Sequence, residues 1–184
     1  RHPVWVGFWK AKNILLKILI PVAGIAAMAF APSLFGYWTH HCFFGTFTGQ
    51  AEQKIDAPVK FQTFQGGDTL LSDMKGQYVV LDFWYSRCGV CFMEFPGVQE
   101  LYNEYKENPS LALYAVHCRL KDETCRTGTE LLQEKGYDFP CLSMDIDDPN
   151  QTTQFAVFKY PTVIVLNPEG TIVFRGRLEF AKRY

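Results

Sequence analysis

Hydrophobic and polar positions divide the chain into two unlike parts. From Ile18 to Trp38, "ILIPVAGIAAMAFAPSLFGYW", no residue is charged. At about 1.5 Å per residue, a helix over this run spans the roughly 30 Å hydrocarbon core of a bilayer. The run predicts a transmembrane helix over 18–38, with Pro21 and Pro32 bending it where neighbours can satisfy the freed backbone groups. Arg1, Lys10, Lys12 and Lys17 precede it, and Tyr37 and Trp38 lie at its far end like an interfacial aromatic belt. By the positive-inside rule residues 1–17 are cytoplasmic and all that follows Trp38 is outside. A buried core helix and a cleavable signal peptide are the alternatives. The "AFA" of 29–31 imitates a cleavage site, but Pro32 directly after it argues against cleavage.

Residues 39–56 lose all periodicity and read as a linker. His40, His41 and Cys42 in it are adjacent potential metal ligands without a fourth, so the stretch reads as a loop and no metal site is expected.

From residue 57 to 184 short apolar runs alternate with helical spacing, the pattern of a single α/β domain. Val59–Phe64 and Thr69–Ser72 predict a hairpin turning at Gly66 and Gly67. Tyr78–Trp84 is an apolar run of strand length, as expected of a strand covered on both faces. Phe95, Val98, Leu101, Tyr102 and Tyr105 then recur at helical spacing. Leu111–Cys118 is a second buried strand, and Thr127 with Glu130 opens a short helix that ends at Gly136. Tyr137–Asp145 is strand-like and Asn150–Lys159 reads as a helix. Thr162–Leu166 and Thr171–Arg175 are strands joined by "NPEG". After Gly176, "RLEFAKRY" supplies only about two turns of a closing helix.

Composition adds little to this picture. With 184 residues, 48% of them hydrophobic, the chain can build one compact domain plus an appendage. A net charge of -1 points away from nucleic acid. Six cysteines are too few for a disulfide-built scaffold and more than one redox pair needs.

Two of them carry the candidate chemistry. Cys88 and Cys91 fall where a buried strand gives way to a helix, and at a helix N-terminus the free N–H groups and the macrodipole favour a thiolate. Cys88 is then the nucleophile towards disulfides, and Cys91, one turn on, resolves the mixed disulfide. Half of a zinc site is the alternative, but no second pair follows: Cys118 and Cys125 are too widely spaced. Asp82, inside the apolar strand before the pair, should hold a proton at unusually high pH, because a buried charge is costly. For Cys118, Cys125 and Cys141 a structural bridge and buried free thiols both stay open.

"LDFWYSRCGVC" resembles the active-site segment of thioredoxins, and the resemblance runs on through Pro96. The layout from about Ala57 to Gly176 is similar to the membrane-anchored, TlpA-like thiol-disulfide oxidoreductases of bacteria. Glu94 and Pro96 in "CGVCFMEFP" match that subgroup, and "YPTVIVLNPEGTIVFRG" is similar to its second signature. The resemblance implies a thioredoxin-like fold, a central mixed sheet flanked by helices with an N-terminal β-hairpin, preceded by one transmembrane helix. It implies an enzyme that exchanges the Cys88–Cys91 dithiol or disulfide with protein thiols, without a further cofactor. Asp82 would take the Cys91 proton, and Pro161 would be cis and set the Tyr160 backbone, with Trp84, against substrate. Arg87, Gly89, Val90 and Glu94 would tune the thiols, with capping of a solvated helix face as the alternative for Glu94. Arg87 and Val90 depart from the usual tryptophan and proline, which leaves the direction of electron flow open. The implied location is the outer side of a bacterial cytoplasmic membrane, with cytochrome c maturation as a role and the upstream electron donor unnamed. A thiol peroxidase of the same fold would need a threonine where Tyr85 stands. A redox-active or non-catalytic subunit of a membrane complex is the remaining alternative.

Overall fold

The computed structural model describes residues 4–182, with the side chains of 4–17, 20 and 21 left aside; Arg1 of the expected basic flank lies outside the described residues. A long helix, α1 (Val4–Phe44), leads into an α/β domain. Within α1, Val22–Phe44 is long and apolar enough to cross a membrane, overlapping the span expected over 18–38. The stretch expected as a linker, 39–56, is not one throughout. Its first part continues α1, and Gln50–Lys54 forms strand β1 against the last strand of the sheet.

The domain is one eight-stranded mixed sheet. β2 (Lys60–Gln62) and β3 (Asp68–Leu70) form the expected hairpin, with Gly66 at φ 83° in its turn. A turn of 3₁₀ helix (Leu71–Met74) leads to β4 (Tyr78–Trp84), α2 (Gly89–Tyr105) and β5 (Leu111–Arg119). Then follow α3 (Thr127–Glu134), β6 (Cys141–Asp145), α4 (Pro149–Thr153), β7 (Thr162–Leu166), β8 (Thr171–Gly176) and α5 (Leu178–Ala181). The strand order is β1-β8-β7-β4-β5-β6-β2-β3. β4, β5 and β6 run parallel, β7 is antiparallel to β4, and β8 is antiparallel to β7.

β4 is central and apolar on both faces, which is why its sequence shows a continuous run rather than alternation. Leu81 and Phe83 face one core with Phe61, Val116, Phe155 and Ile164. Val80 and Trp84 face the other, with Phe95 and Val98 of α2, Leu132 of α3 and Leu178 of α5. Period-two alternation puts Asp82 on this second, α2-covered face.

The hairpin strands are shorter than the 59–64 and 69–72 expected, and so are β6 and α4. β6 starts at Cys141 because Pro140 has no N–H for the ladder, although its carbonyl still accepts from Ala115. α4 stops at Thr153 rather than Lys159. There Ala156 takes a left-handed φ of 49°, and the Val157 N–H donates back to the Gln151 carbonyl (2.7 Å), folding the chain into a loop ahead of Pro161.

Candidate active site

The site forms where β4 hands over to α2. Cys88 is the N-cap of α2, and its Sγ accepts the Cys91 backbone N–H at 3.2 Å. The two cysteines form a disulfide of 2.02 Å. Cys88 keeps 6% of its surface exposed and Cys91 none, so an incoming group can reach the pair only from the Cys88 side. That N–H donor and the N-terminal end of the α2 dipole stabilise developing negative charge on the Cys88 sulfur.

Asp82 is 2% exposed, and neither carboxylate oxygen has a hydrogen-bond partner among the described residues. Burial pushes its pKa well above the carboxylate range, and the nearby charge of Glu94 pushes the same way. Glu94, one turn beyond Cys91, does not cap a solvated face. It turns inward, with Oε2 buried and unpartnered and Oε1 3.7 Å from the Arg177 guanidinium at the start of α5. Burial raises its pKa, and Arg177 opposes that rise.

Trp84 is fully buried in the cluster that holds both cysteines, edge-on to Phe92 and Phe95 at 5.7 and 5.1 Å. Tyr160 packs against the same cluster with its ring 5.2 Å from Tyr85. The Tyr160–Pro161 peptide bond is cis. The other expected residues lie at the surface. Val90 is 55% exposed and Gly89 borders open space, so nothing crowds that glycine. Arg87 is paired with Asp122 of the β5–α3 loop at 3.2 Å, an exposed pair that shares the charge expected to act on Cys88.

Three residues of this neighbourhood escaped the sequence reading. His117, at the end of β5, is fully buried with its ring 4.7 Å from Trp84 and its Nε2 3.3 Å from Glu123. Burial lowers its pKa to about 4 against the pull of Glu123, so at neutral pH the ring is uncharged and the contact is not an ion pair. Gly128 makes room for it: a Cβ there would lie 2.6 Å from the His117 Cβ. Gln151 of α4 is 1% exposed; its Nε2 donates to the Asp145 carbonyl (2.6 Å), and its Oε1 accepts the Tyr160 hydroxyl. Arg177 is the third. Gly128 sitting oddly at a helix start was the one local signal available.

The remaining cysteines are unbridged, which removes the structural bridge left open by the sequence. Cys118 and Cys141 lie on neighbouring strands but face opposite cores, so their sulfurs point apart. Burial raises both thiols, Cys141 to about 12, and keeps them protonated. At the end of α1 the three adjacent potential ligands diverge: His40 is buried, His41 stacks on Phe47 at 4.2 Å, and Cys42 is exposed.

The profile of the AhpC/TSA family matches residues 49–175. The chain is similar to the thioredoxin-like protein YneN of Bacillus subtilis, 29% identical over 123 residues, covering 67% of this chain and 68% of that protein. It is also similar to the thiol-disulfide oxidoreductase ResA of Halalkalibacterium halodurans, 26% identical over 169 residues, covering 90% of this chain and 84% of the relative. Among solved structures, StoA from Bacillus subtilis superposes with a TM-score of 0.53 at 24% identity, covering 69% of this chain and 95% of that one, a likeness of fold.

Proposed function

Because the chain belongs to the AhpC/TSA family, we propose that its fold is put to thiol-disulfide exchange, with Cys88 and Cys91 as the redox pair. The observation that carries this reading is the Cys88–Cys91 disulfide at the N-terminus of α2, lying on the same sheet face as a buried, unpartnered Asp82. In the reduced protein the Cys88 thiolate attacks a substrate disulfide, forming a mixed disulfide and expelling one substrate thiolate. Asp82 accepts the Cys91 proton. The resulting Cys91 thiolate attacks the Cys88 sulfur, closes the Cys88–Cys91 bond and releases the second substrate thiolate. Two electrons pass from the dithiol to the substrate, and the reverse sequence oxidises a substrate dithiol. Tyr160, half-buried ahead of the buried Pro161, offers its backbone beside the disulfide to an extended substrate segment, whereas Trp84, expected to face substrate, is fully buried and acts only by packing under the site.

The finer reading is an enzyme anchored by α1, with its domain on the outer face of a bacterial cytoplasmic membrane. Its support is the apolar stretch Val22–Phe44 and the lysines before it. Apocytochrome c thiols are the substrate class that the TlpA-like resemblance favours. A thiol peroxidase is the alternative, and Tyr85 in place of a threonine speaks against it.

Trapping tests the central reading. Cys91→Ser should accumulate a mixed disulfide through Cys88 with a disulfide-bearing protein, and Cys88→Ser should accumulate none; the reverse pattern would overturn the assignment. A membrane-impermeant thiol reagent should label the reduced domain in intact cells, and labelling only after lysis would reverse the topology.

A further inference from the structure

The end of α1 does not lead away from the domain but packs into it. His40 is 1% exposed, with Nδ1 2.7 Å from the Thr46 carbonyl oxygen and its ring 4.4 Å from that of Phe180. Gly176 leaves the space for it, since a Cβ there would collide with His40 Nε2. One turn further on, α1 meets the segment that leads into the cis Tyr160–Pro161 bond. Lys159 Nζ lies 3.8 Å from the centre of the Phe43 ring and 5.7 Å from that of Phe44.

Between the two segments lies a cavity of about 300 Å³, lined in part by Phe43, Phe44, Phe158, Lys159, Thr162 and Arg175. Its rim is apolar and open: Phe158 is 74% exposed and Phe43 56%, and Phe47, 52% exposed, follows on the chain. Its two cations lack an anion. Among the described residues neither Lys159 nor Arg175 has a carboxylate in ion-pair range. Arg175 donates to the Phe155 carbonyl (2.7 Å) and to the Gln53 side chain, both neutral. Burial against the rings pulls the Lys159 ammonium below the ordinary lysine pKa, so a neighbouring anion would relieve a real cost.

We propose that this cavity binds the phosphate headgroup of an anionic phospholipid in the bilayer that α1 enters, with Lys159 and Arg175 facing the phosphate and the phenylalanines lying at the interface. The proposal rests on the reading of α1 as a membrane anchor. The apolar run read from the sequence ends at Trp38, and Phe43 follows about 7.5 Å further along α1, so the cavity opens on the headgroup side of the span. Aromatic rings with one apolar body and a polar boundary settle at that depth, and unpaired cations there are drawn to anionic lipid. A free phosphate would satisfy the charges but leave Phe43 and Phe158 in water, which is why the occupant is a lipid in place. A lipid held there would pin residues 156–160 and so fix how the Tyr160–Pro161 edge of the redox site is presented above the membrane.

Full-length chain in nanodiscs of phosphatidylcholine, with or without phosphatidylglycerol, tests this by co-elution and by amide exchange over residues 156–160. Phosphatidylglycerol should slow that exchange several-fold. Lys159→Gln should abolish the lipid dependence while leaving reduction of a small disulfide by Cys88 and Cys91 unchanged. Equal exchange in both lipids, in protein that co-elutes with the discs, overturns the lipid site and leaves the anchor standing. Protein that does not co-elute overturns both. Protection by soluble glycerol phosphate in phosphatidylcholine discs would overturn the bilayer as the source.

Discussion

Replacing Asp82 by Asn keeps the shape of the side chain and removes the only carboxylate buried on β4 below the disulfide. Two consequences can be worked out separately. The first is kinetic. A thiol of ordinary acidity, pKa about 8.5, is only about 3% ionised at pH 7, so resolution that waits for an unaided thiolate runs roughly 30-fold below one in which a base removes the proton. That deficit shrinks as pH rises, and because burial raises a thiol such as Cys91, it persists beyond the ordinary cysteine range. Positioned bases elsewhere contribute about 10²–10⁴-fold, and only the ionised fraction of Asp82 acts as base, so about 30-fold is the effect expected where Asp82 is ionised. Attack by Cys88 on the substrate does not use this proton and should keep its rate. The second consequence is thermodynamic. Burial and Glu94 raise the Asp82 pKa in the folded protein, so the folded state holds a proton that the unfolded chain has lost. Asp82 therefore weakens the fold progressively as pH rises from the ordinary carboxylate range towards its folded pKa. Asp82→Asn should match the parent below about pH 4 and exceed it at higher pH, because a costly ionisation has been removed. Stopped-flow resolution of a preformed mixed disulfide across pH reads the first effect, and denaturant unfolding of the oxidised protein reads the second. An unchanged resolution rate at pH 7 would refute the base assignment and leave Asp82 a structural residue.

Two further substitutions probe the neighbourhood of the pair. Gln151→Leu strips the partners from the Tyr160 hydroxyl and the Asp145 carbonyl, and each buried group left unsatisfied costs roughly 1–3 kcal/mol. Because Tyr160 packs against the disulfide cluster, KM for a peptide disulfide should rise more than kcat falls; an unaltered KM in a folded variant would show that the clamp does not reach the substrate edge. His117 titrates at about 4 in the fold against an ordinary 6.5. The unfolded chain thus takes up the proton first, and the stability this ring contributes is complete above pH 6.5 and lost as the pH falls towards 4. The step is about 3 kcal/mol, read as the difference between parent and His117→Gln in denaturant midpoints across that window, and parallel curves would contradict it.

Much of this site could be read along the chain because its key residues are local to one strand-to-helix junction. An apolar strand-length run, an aspartate within it and a cysteine pair at a helix start all fall between Tyr78 and Cys91, and the sequence periodicity alone placed Asp82 in the interior. The hairpin was legible for the same reason, its glycines marking the turn between two short runs. β1 was not. Its sequence QAEQK is polar, and its burial pattern is that of an edge strand half in water, so it forms because β8 offers unpaired backbone groups some 120 residues later.

Where contact crosses the fold, residue type alone was silent. Glu94 could be read as a solvated helix residue until α5 delivered Arg177 beside it, and Gln151 is an ordinary polar helix residue until the loop ahead of Pro161 folds back on it. Cys118 and Cys141 show the converse, that proximity of strands is not proximity of side chains. Their strands are hydrogen-bonded neighbours, yet the register pairs Ala115 with Cys141 and Cys118 with Met144. The odd offset of three between Ala115 and Cys118 sends Cys118 through to the opposite face, because side chains alternate with period two. A bridge between them would require β6 to slip by three residues against β5, an odd number. That slip would turn Leu142 and Met144 out of the core they fill, so the hydrophobic pattern that sets the register also keeps these two thiols reduced.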